Sequence, residues 1–590
     1  MTIPERLNAL REWMLNRNIQ AFIVPSNDPH FSEYVAPHWG CRAWISGFDG
    51  SAGTVVVTTG RAALWTDSRY FLQAESQLEG TEIELKQMGL AGTPSIPEWL
   101  HSGGIERVGV DGRLFSKAAY DILKSDLQPF GADLFLTDDP FASIWPDRPA
   151  LPKKPAMLLR QVYTGESAKD KLQRIRTHQP AGATRIVAVL DEIAWALNIR
   201  GRDIEFNPLV IGYLAIEPDK AILFADAAKF TPEDREQLRK TGIRINPYDT
   251  FTDYLTALSG KTVIVNPNGL DIHHWTVLEA AKADIRQKDT PFGLISAFKA
   301  VKNEIEIQGF QRAMETDGVA LVRFEMWLER IVMAGERPTE LEIANKLHEF
   351  RSAGADFQGE SFETISGYGA HAAIVHYSAT KESDIPVGTD NFLLIDSGGQ
   401  YLYGTTDITR TYFFGQPTVE QKRDYTTVLK GMIDLSAAHF PAGTRGAQLD
   451  VLARRYLWNM GQNYLHGTGH GIGHFLCVHE GPQSIRMNEN PVTLQPGMVQ
   501  SCEPGLYLTG KYGIRIENLT TVTTEGCPEG FLRFETLTLC PISMTALDTD
   551  ALERPQREWL NSYHATVYER LAPRLEPDER RWLREKTRPV

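Results

Sequence analysis

Three segments in the last third of the chain hold the residues whose types and spacing could do chemistry. The first, NFLLIDSGGQYLYGTTDITRTYFF (391–414), places Asp396 at the end of an apolar strand and turns at Ser397–Gly399. It returns through a second β-rich run that contains Asp407, so a meander could aim both carboxylates at one point. Taken alone, the segment also fits an Asx turn at Asp396 and a solvated Asp407 on an edge strand. The second, LHGTGHGIGHFLCVHEGP (465–482), holds His466, His470, His474 and His479, four of the chain's 15 histidines. Gly467, Gly469, Gly471 and Gly473 argue against a regular helix there. A glycine-rich loop lets imidazoles crowd around a ligand, and neutral imidazole is the commonest metal ligand. No HExxH is present, which excludes the usual zinc-protease helix. The third, SCEPGLYLTGKYGIRIENLTTV (501–522), has Glu503 before a Pro504–Gly505 turn and Glu517 in the alternating run IRIENL. As one strand, that run puts Arg515 and Glu517 on one face and Ile514 and Ile516 on the other. A glutamate flanked by isoleucines is costly unless it is paired or coordinated.

Together these segments supply four carboxylates and at least one imidazole. Oxygen-rich sets suit hard or borderline divalent ions such as Mn²⁺ better than thiolate-loving ones. Four carboxylates balance two divalent ions if His470 is neutral, whereas without metal they would repel and raise one another's pKa values. Two metals roughly 3.5–4 Å apart can share a water, lower its pKa and clamp a tetrahedral intermediate. That is the equipment of a hydrolase.

The elements that must position these residues lie downstream of about Ser296, where the texture shifts to longer helices. Asn303 with Glu306, Thr339 with Glu342 and Thr418 with Gln421 read as helix caps. Ile307, Phe310, Met314, Leu321 and Phe324 share one helical face and predict ordinary core. With β-rich NFLLID, TRTYFF, IRIENLTTVT and FETLTLC between and after the helices, the expected class here is α+β, helices on a largely antiparallel sheet. The first 290 residues look like one α/β plan used twice. TVVVTTGRAALWTD carries two β-runs around Thr59–Gly60, and NIRGRDIEFNPLVIGYLAIEPDKAILFAD carries two around Glu217–Lys220. Each is followed by a charged helical stretch and a short strand, RVGVDG (107–112) or KTVIVNPNG (261–269). A Pro-rich seam at PDRPALPKKP (146–155) and a change of texture near Lys288 to Gly293 divide the chain into 1–150, 151–292 and 293–590.

Composition narrows the field. At 590 residues, with 42% apolar and 23% charged residues, the chain is an ordinary multidomain globular protein. No apolar stretch approaches the roughly 20 residues of a spanning helix, so no membrane role is expected. The start, MTIPERLNALREW, has no apolar signal-peptide core. Five cysteines without a CxxC pair make neither a disulfide framework nor a thiolate zinc site, which points to the cytoplasm. A net charge of −14 without a basic run before the final residues argues against nucleic acid. The partly basic ending, DERRWLREKTRPV, reads as a solvated terminal helix.

The order Asp396, Asp407, His470, Glu503, Glu517 resembles the metal-ligand set of the pita-bread metallopeptidases (M24B). IDSGGQYLYGTTDITRT, HGTGHGIGHFLCVHEGP, EPGLY and GIRIEN look like that family's ligand motifs. Length, the duplicated first half, WTDSRYFLQA, LDEIAWALNIRG and the tail from FETLTLCPI through WLNSYH resemble its three-domain Xaa-Pro aminopeptidases. The resemblance implies two creatinase-like N-terminal α/β domains and a C-terminal pita-bread catalytic domain. It implies two divalent ions, Mn²⁺ first with Zn²⁺ or Co²⁺ as alternatives. Asp396 would chelate one metal, Asp407 and Glu517 would bridge both, and His470 and Glu503 would complete the second. Glu503 would also take the proton of a bridging water. His376, which alone also fits a core histidine, matches with His466 and His479 the histidines around the substrate, and Tyr507 and Arg515 match a relay behind the ligands. His474 is expected to pack behind the site, and His371 receives no role. The implied activity is release of the N-terminal residue from Xaa-Pro peptides by attack of a metal-bridging hydroxide, in a cytoplasmic homodimer. The alternatives are an Xaa-Pro dipeptidase, disfavoured by the extra domain, and a non-catalytic peptide- or protein-binding relative, disfavoured by the complete ligand set.

Overall fold

The computed structural model describes residues 1–287 and 292–590; the texture change expected near Lys288 to Gly293 falls largely on residues 288–291, outside the described residues. These residues form two compact units, 1–160 with 166–296, and 161–165 with 297–590.

The first unit contains two six-stranded sheets. One runs Ile83–Gln87, Ala62–Thr66, Thr54–Thr58, Ala21–Pro25, Arg107–Asp111, Asp133–Thr137 across its width. The other runs Ile243–Asn246, Ala221–Phe224, Tyr213–Ile216, Thr184–Val187, Thr262–Ile264, Asp284–Arg286. In both, the strand that comes first in sequence lies inside the sheet. It is antiparallel to the second strand and parallel to the fifth. In both, the second and third strands form the expected hairpin, around Thr59–Gly60 and around Glu217–Lys220. The repeat seen in sequence pattern is thus a repeat of topology. Central strands such as Ala21–Pro25 and Tyr213–Ile216 are buried along their whole length, which their near-continuous apolar composition requires.

The second unit contains the 30-residue helix Glu304–Met333, capped reciprocally by Asn303 and Glu306. Thr339/Glu342 and Thr418/Gln421 cap the helices Glu340–Ser352 and Val419–Ser436 in the same way. On the long helix, Phe310, Met314, Leu321 and Phe324 are buried and Ile307 is half-buried. Leu321, Phe324 and Leu328 pack on Leu393, Ile395 and Ile408 of a three-stranded sheet, Ile365–Tyr368, Leu393–Ser397, Ile408–Tyr412. A six-stranded sheet joins His439–Pro441, Phe531–Thr536, Asn518–Thr523, Val499–Cys502, Gly469–Gly471 and Glu480–Ile485. A hairpin pairs Gly505–Leu508 with Tyr512–Arg515. All of these pairings are antiparallel.

One expectation needs correction. IRIENL is not one strand: the hairpin ends at Arg515, the large sheet begins at Asn518, and Ile516 and Glu517 form the corner between them. Glu517 lies there because its N–H donates to the Thr409 carbonyl at 3.1 Å and its own carbonyl accepts from Arg410 at 2.6 Å. The terminal helix Pro577–Lys586 buries only Leu583. All five cysteines are free. Among the described residues no helix is long and apolar enough to cross a membrane.

Candidate metal centre

Each candidate ligand lies in or next to a β-strand of the second unit. Asp396 lies in Leu393–Ser397, directly across from Thr409 in Ile408–Tyr412. Asp407 immediately precedes that partner strand. His470 is the middle residue of Gly469–Gly471. A side chain at Gly469 would sit 2.1 Å from the Ser501 carbonyl, so only glycine lets this strand approach Val499–Cys502. Glu503 follows Val499–Cys502, its N–H bonded to the Thr468 carbonyl at 2.8 Å.

Donor atoms of Asp407, His470 and Glu517 all lie within 4.8 Å of one another. His470 Nε2 is 3.5 Å from Asp407 Oδ2 and 3.5 Å from Glu503 Oε1, while its Nδ1 bonds the Gly471 carbonyl at 3.0 Å. The Nδ1 contact fixes the tautomer, since a carbonyl can only accept, and leaves Nε2 as the coordinating nitrogen. Asp396 and Glu503 are not in that three-residue group; Asp396 Oδ2 is held by Arg515 at 2.7 Å.

The electrostatics are those of anions crowded out of water. Burial pushes the carboxyls of Asp396, Glu503 and Glu517 upward. For Glu517 the neighbouring carboxylates push further, whereas Arg515 pulls Asp396 back. Burial would lower His470, but Asp407 and Glu503 outweigh it and bring it to about 9. Two buried oxygens in this cluster, Asp396 Oδ1 and Glu517 Oε1, have no hydrogen-bond partner among the described residues. Buried carboxylate oxygens are normally satisfied. Two such oxygens beside two further carboxylates and an imidazole fit divalent cations in number and chemistry.

Behind the ligands runs a chain of hydrogen bonds. Arg515, 1% exposed, donates from Nη2 to Asp396 and from Nη1 to the Tyr507 hydroxyl at 2.7 Å. Tyr507 Oη lies 2.9 Å from His466 Nε2, and burial pushes its phenol up to about 12, so it stays protonated. His479 lays its ring against that of His470, with centroids 4.4 Å apart. His376 is half-buried in a turn, not in a strand, and follows Val375, whose carbonyl accepts from Arg515 at 3.3 Å. His474 is buried behind the loop with its ring 5.8 Å from that of Phe310, as packing. His371 lies elsewhere: it bonds the fully buried Glu340 at 3.0 Å and so anchors the turn Gly369–Ala373.

Sequence reading missed Thr409. Its hydroxyl donates to Glu517 Oε2 at 2.8 Å and accepts from Arg515 Nε at 3.2 Å, joining a candidate ligand to the relay. The signal was available, because strand alternation from Asp407 puts Thr409 and Thr411 on the same face. Thr411 indeed accepts from the Arg515 N–H at 3.1 Å.

Known families match the chain in four places. "Creatinase/Prolidase N-terminal domain" covers residues 6–135 and again 147–306. "Metallopeptidase family M24" covers 308–524, and "C-terminal region of peptidase M24" covers 530–590. A probable Xaa-Pro aminopeptidase P of Laccaria bicolor is 40% identical over 605 residues, spanning 99% of this chain and 93% of that protein. Xaa-Pro aminopeptidase 1 of Dictyostelium discoideum is 37% identical, spanning 100% of this chain and 97% of its own. The crystal structure of X-prolyl aminopeptidase from Caenorhabditis elegans, described as a cytosolic enzyme with a di-nuclear active site, superposes with a TM-score of 0.95. It is 34% identical over 100% of both chains. With this full-length similarity, two creatinase-like N-terminal domains and a pita-bread catalytic domain, the chain belongs to metallopeptidase family M24, among the Xaa-Pro aminopeptidases P.

Proposed function

We propose that the protein is a metal-dependent aminopeptidase that releases the N-terminal residue from peptides with proline in second position. The observation that carries this reading is the convergence of Asp407, His470 and Glu517 within 4.8 Å, in a chain whose full-length relatives are Xaa-Pro aminopeptidases. In this reading Asp396, Asp407, His470, Glu503 and Glu517 hold two divalent ions, Mn²⁺ first. When bound, such a pair supplies Lewis acidity and makes water nucleophilic at neutral pH.

The chain's own residues do the rest. Glu503 takes the proton of the attacking water on a carboxylate oxygen and hands it to the leaving proline nitrogen. Arg515 favours the ionised form of Asp396 and orients it through their hydrogen bond. Tyr507 passes that orientation to His466 through the bonds described above. His376, His466 and His479 bind the substrate around the scissile carbonyl and wall the proline ring. A dedicated pocket is required because an Xaa-Pro bond has no N–H to hold and its φ is locked.

We infer further that the three domains divide at 150/151 and 292/293; the two six-stranded sheets support two domains in the first half, and the family matches over 6–135, 147–306 and 308–524 support three modules, with the second match running past 292. Five free cysteines and a cytosolic structural relative support a cytoplasmic setting. A homodimer is inferred from the family resemblance alone.

The test is cleavage of an Xaa-Pro-Xaa tripeptide and an Xaa-Pro dipeptide by metal-stripped protein, with and without Mn²⁺, beside Glu503→Ala. Mn²⁺-dependent release from the tripeptide, lost in the variant, is expected. Cleavage of the dipeptide alone would make the protein a dipeptidase, and no cleavage with any divalent ion would leave a peptide-binding relative.

A further inference from the structure

Arg410 is 2% exposed, and its side chain makes six hydrogen bonds to protein groups, none of them a carboxylate. Nη1 donates to the carbonyls of Thr409 at 3.0 Å and Glu517 at 2.6 Å. Nη2 donates to Asn518 Oδ1, the Cys540 carbonyl and the Tyr563 hydroxyl, each at 2.9 Å, and Nε donates to the Pro541 carbonyl at 2.9 Å. A guanidinium offers five N–H donors in a rigid fork, so every donor is used and one N–H of Nη2 is shared between two acceptors. Burying such a charge without a contacting anion is costly. What the arrangement achieves is directional: the fork grips the backbone of a candidate ligand and of the threonine that bonds its carboxylate.

Three of the six acceptors, Cys540, Pro541 and Tyr563, come from the segment 530–590, for which no part in the site has been described above. Tyr563 is bound at both ends of its hydroxyl, accepting from Arg410 and donating to the Cys540 carbonyl at 2.8 Å. On the other side, Glu517 is pinned through its N–H to Thr409 and through its carbonyl to Arg410. Because Glu517 occupies the corner between two sheets, ladder bonds do not set its direction. We propose that the C-terminal segment is part of the support of the metal centre, acting through Arg410 as a positioning residue that holds Glu517 in its ligating orientation. This rests on the reading of Glu517 as a ligand.

The experiment is a titration of metal-stripped, full-length protein with Co²⁺, followed by the visible d–d absorption that reports ligand geometry, with urea unfolding of the same metal-free samples. Arg410→Lys removes the fork and risks the fold, so Tyr563→Phe, which deletes one oxygen, is the primary variant. Tyr568→Phe in the same helix is the control. Among the described residues its hydroxyl accepts from Arg584, at 3.0 and 2.7 Å, on the surface. Tyr563→Phe is expected to need about tenfold more Co²⁺ for half-saturation, with an altered band, while Tyr568→Phe follows the wild type. Superimposable titrations of Tyr563→Phe and wild type would overturn the proposal. So would equal weakening in both tyrosine variants, because a general loosening of the segment would then be the cause. A wild-type protein that develops no band at all overturns the ligand reading itself, and is told apart by failing before any variant is compared.

Discussion

Replacing Thr409 by valine removes one hydroxyl and almost no volume, at the point where the candidate ligand Glu517 meets Arg515. Two partners lose a bond: Glu517 Oε2, 2.8 Å away in a residue 1% exposed, and Arg515 Nε at 3.2 Å. A hydrogen bond to a charged group contributes about 1.5–3 kcal/mol, which is roughly 10- to 150-fold in an equilibrium constant. Partners that orient metal ligands typically alter metal affinity by about 10- to 100-fold, so the two routes agree. The expected result is a Mn²⁺ affinity lower by about that factor, measured by calorimetric titration of metal-stripped protein. Leaving the Arg515 Nε–H without its acceptor should also cost about 1–3 kcal/mol of stability in urea. Thr409→Ser keeps the hydroxyl and should restore most of both. At saturating Mn²⁺ the tripeptide turnover of Thr409→Val should return close to wild type, because the hydroxyl orients a ligand and touches no substrate. A Mn²⁺ affinity within twofold of wild type would refute this reasoning, as would a turnover that stays low when metal is saturating.

Three further outcomes follow from the same geometry. His564 is fully buried and accepts from the Ile542 N–H at Nε2, and burial holds its pKa near 4, below the unfolded value of about 6.5. The unfolded chain therefore takes up the proton first on acidification. The stability His564 contributes is complete above pH 6.5 and is lost as pH falls towards 4, by about 2 kcal/mol at pH 5, so His564→Gln should narrow the wild-type difference between pH 7 and 5 by that amount in urea. Glu480 carries a fully buried side chain paired with Lys299 at 2.8 Å and with Lys302, so Glu480→Gln leaves two buried cations short of their counter-charge. It should lower stability by about 3–5 kcal/mol, read as the urea midpoint. Gly513→Ala would set a methyl 1.7 Å from the Ala372 carbonyl, forcing apart the hairpin that carries Arg515 and the turn that precedes His376; loss of tripeptide cleavage with metal still bound is the expected signature, read by activity beside metal content.

The candidate site was legible as a candidate because metal ligands are drawn from few residue types. Asp396, His470, Glu503 and Glu517 stand beside glycine, proline or an apolar run, and Asp407 stands in a β-rich run shortly after Asp396. The duplicated first half was legible through its hairpins, and the helices through their caps, since both are local signals. What escaped was non-local. Arg410 reads in sequence as one more polar residue of a β-run, and only the approach of Cys540 and Tyr563 makes it a buried clamp. Alternation predicted a continuous strand through Glu517. Long-range bonds from Thr409 and Arg410 instead bend the chain there and put Glu517, a candidate ligand, at a corner. His371 drew attention as a histidine near the motifs, yet its partner, Glu340, lies 31 residues away on another helix.

The most direct test of the account is to follow tripeptide cleavage as Mn²⁺ is returned to the metal-stripped protein, measuring bound metal per chain in the same samples. With four carboxylates and His470 as the ligand set, release of the N-terminal residue should rise and level off at two bound ions per chain. Full activity before any metal is bound, or a chain that binds two ions and leaves the Xaa-Pro bond intact, would contradict it.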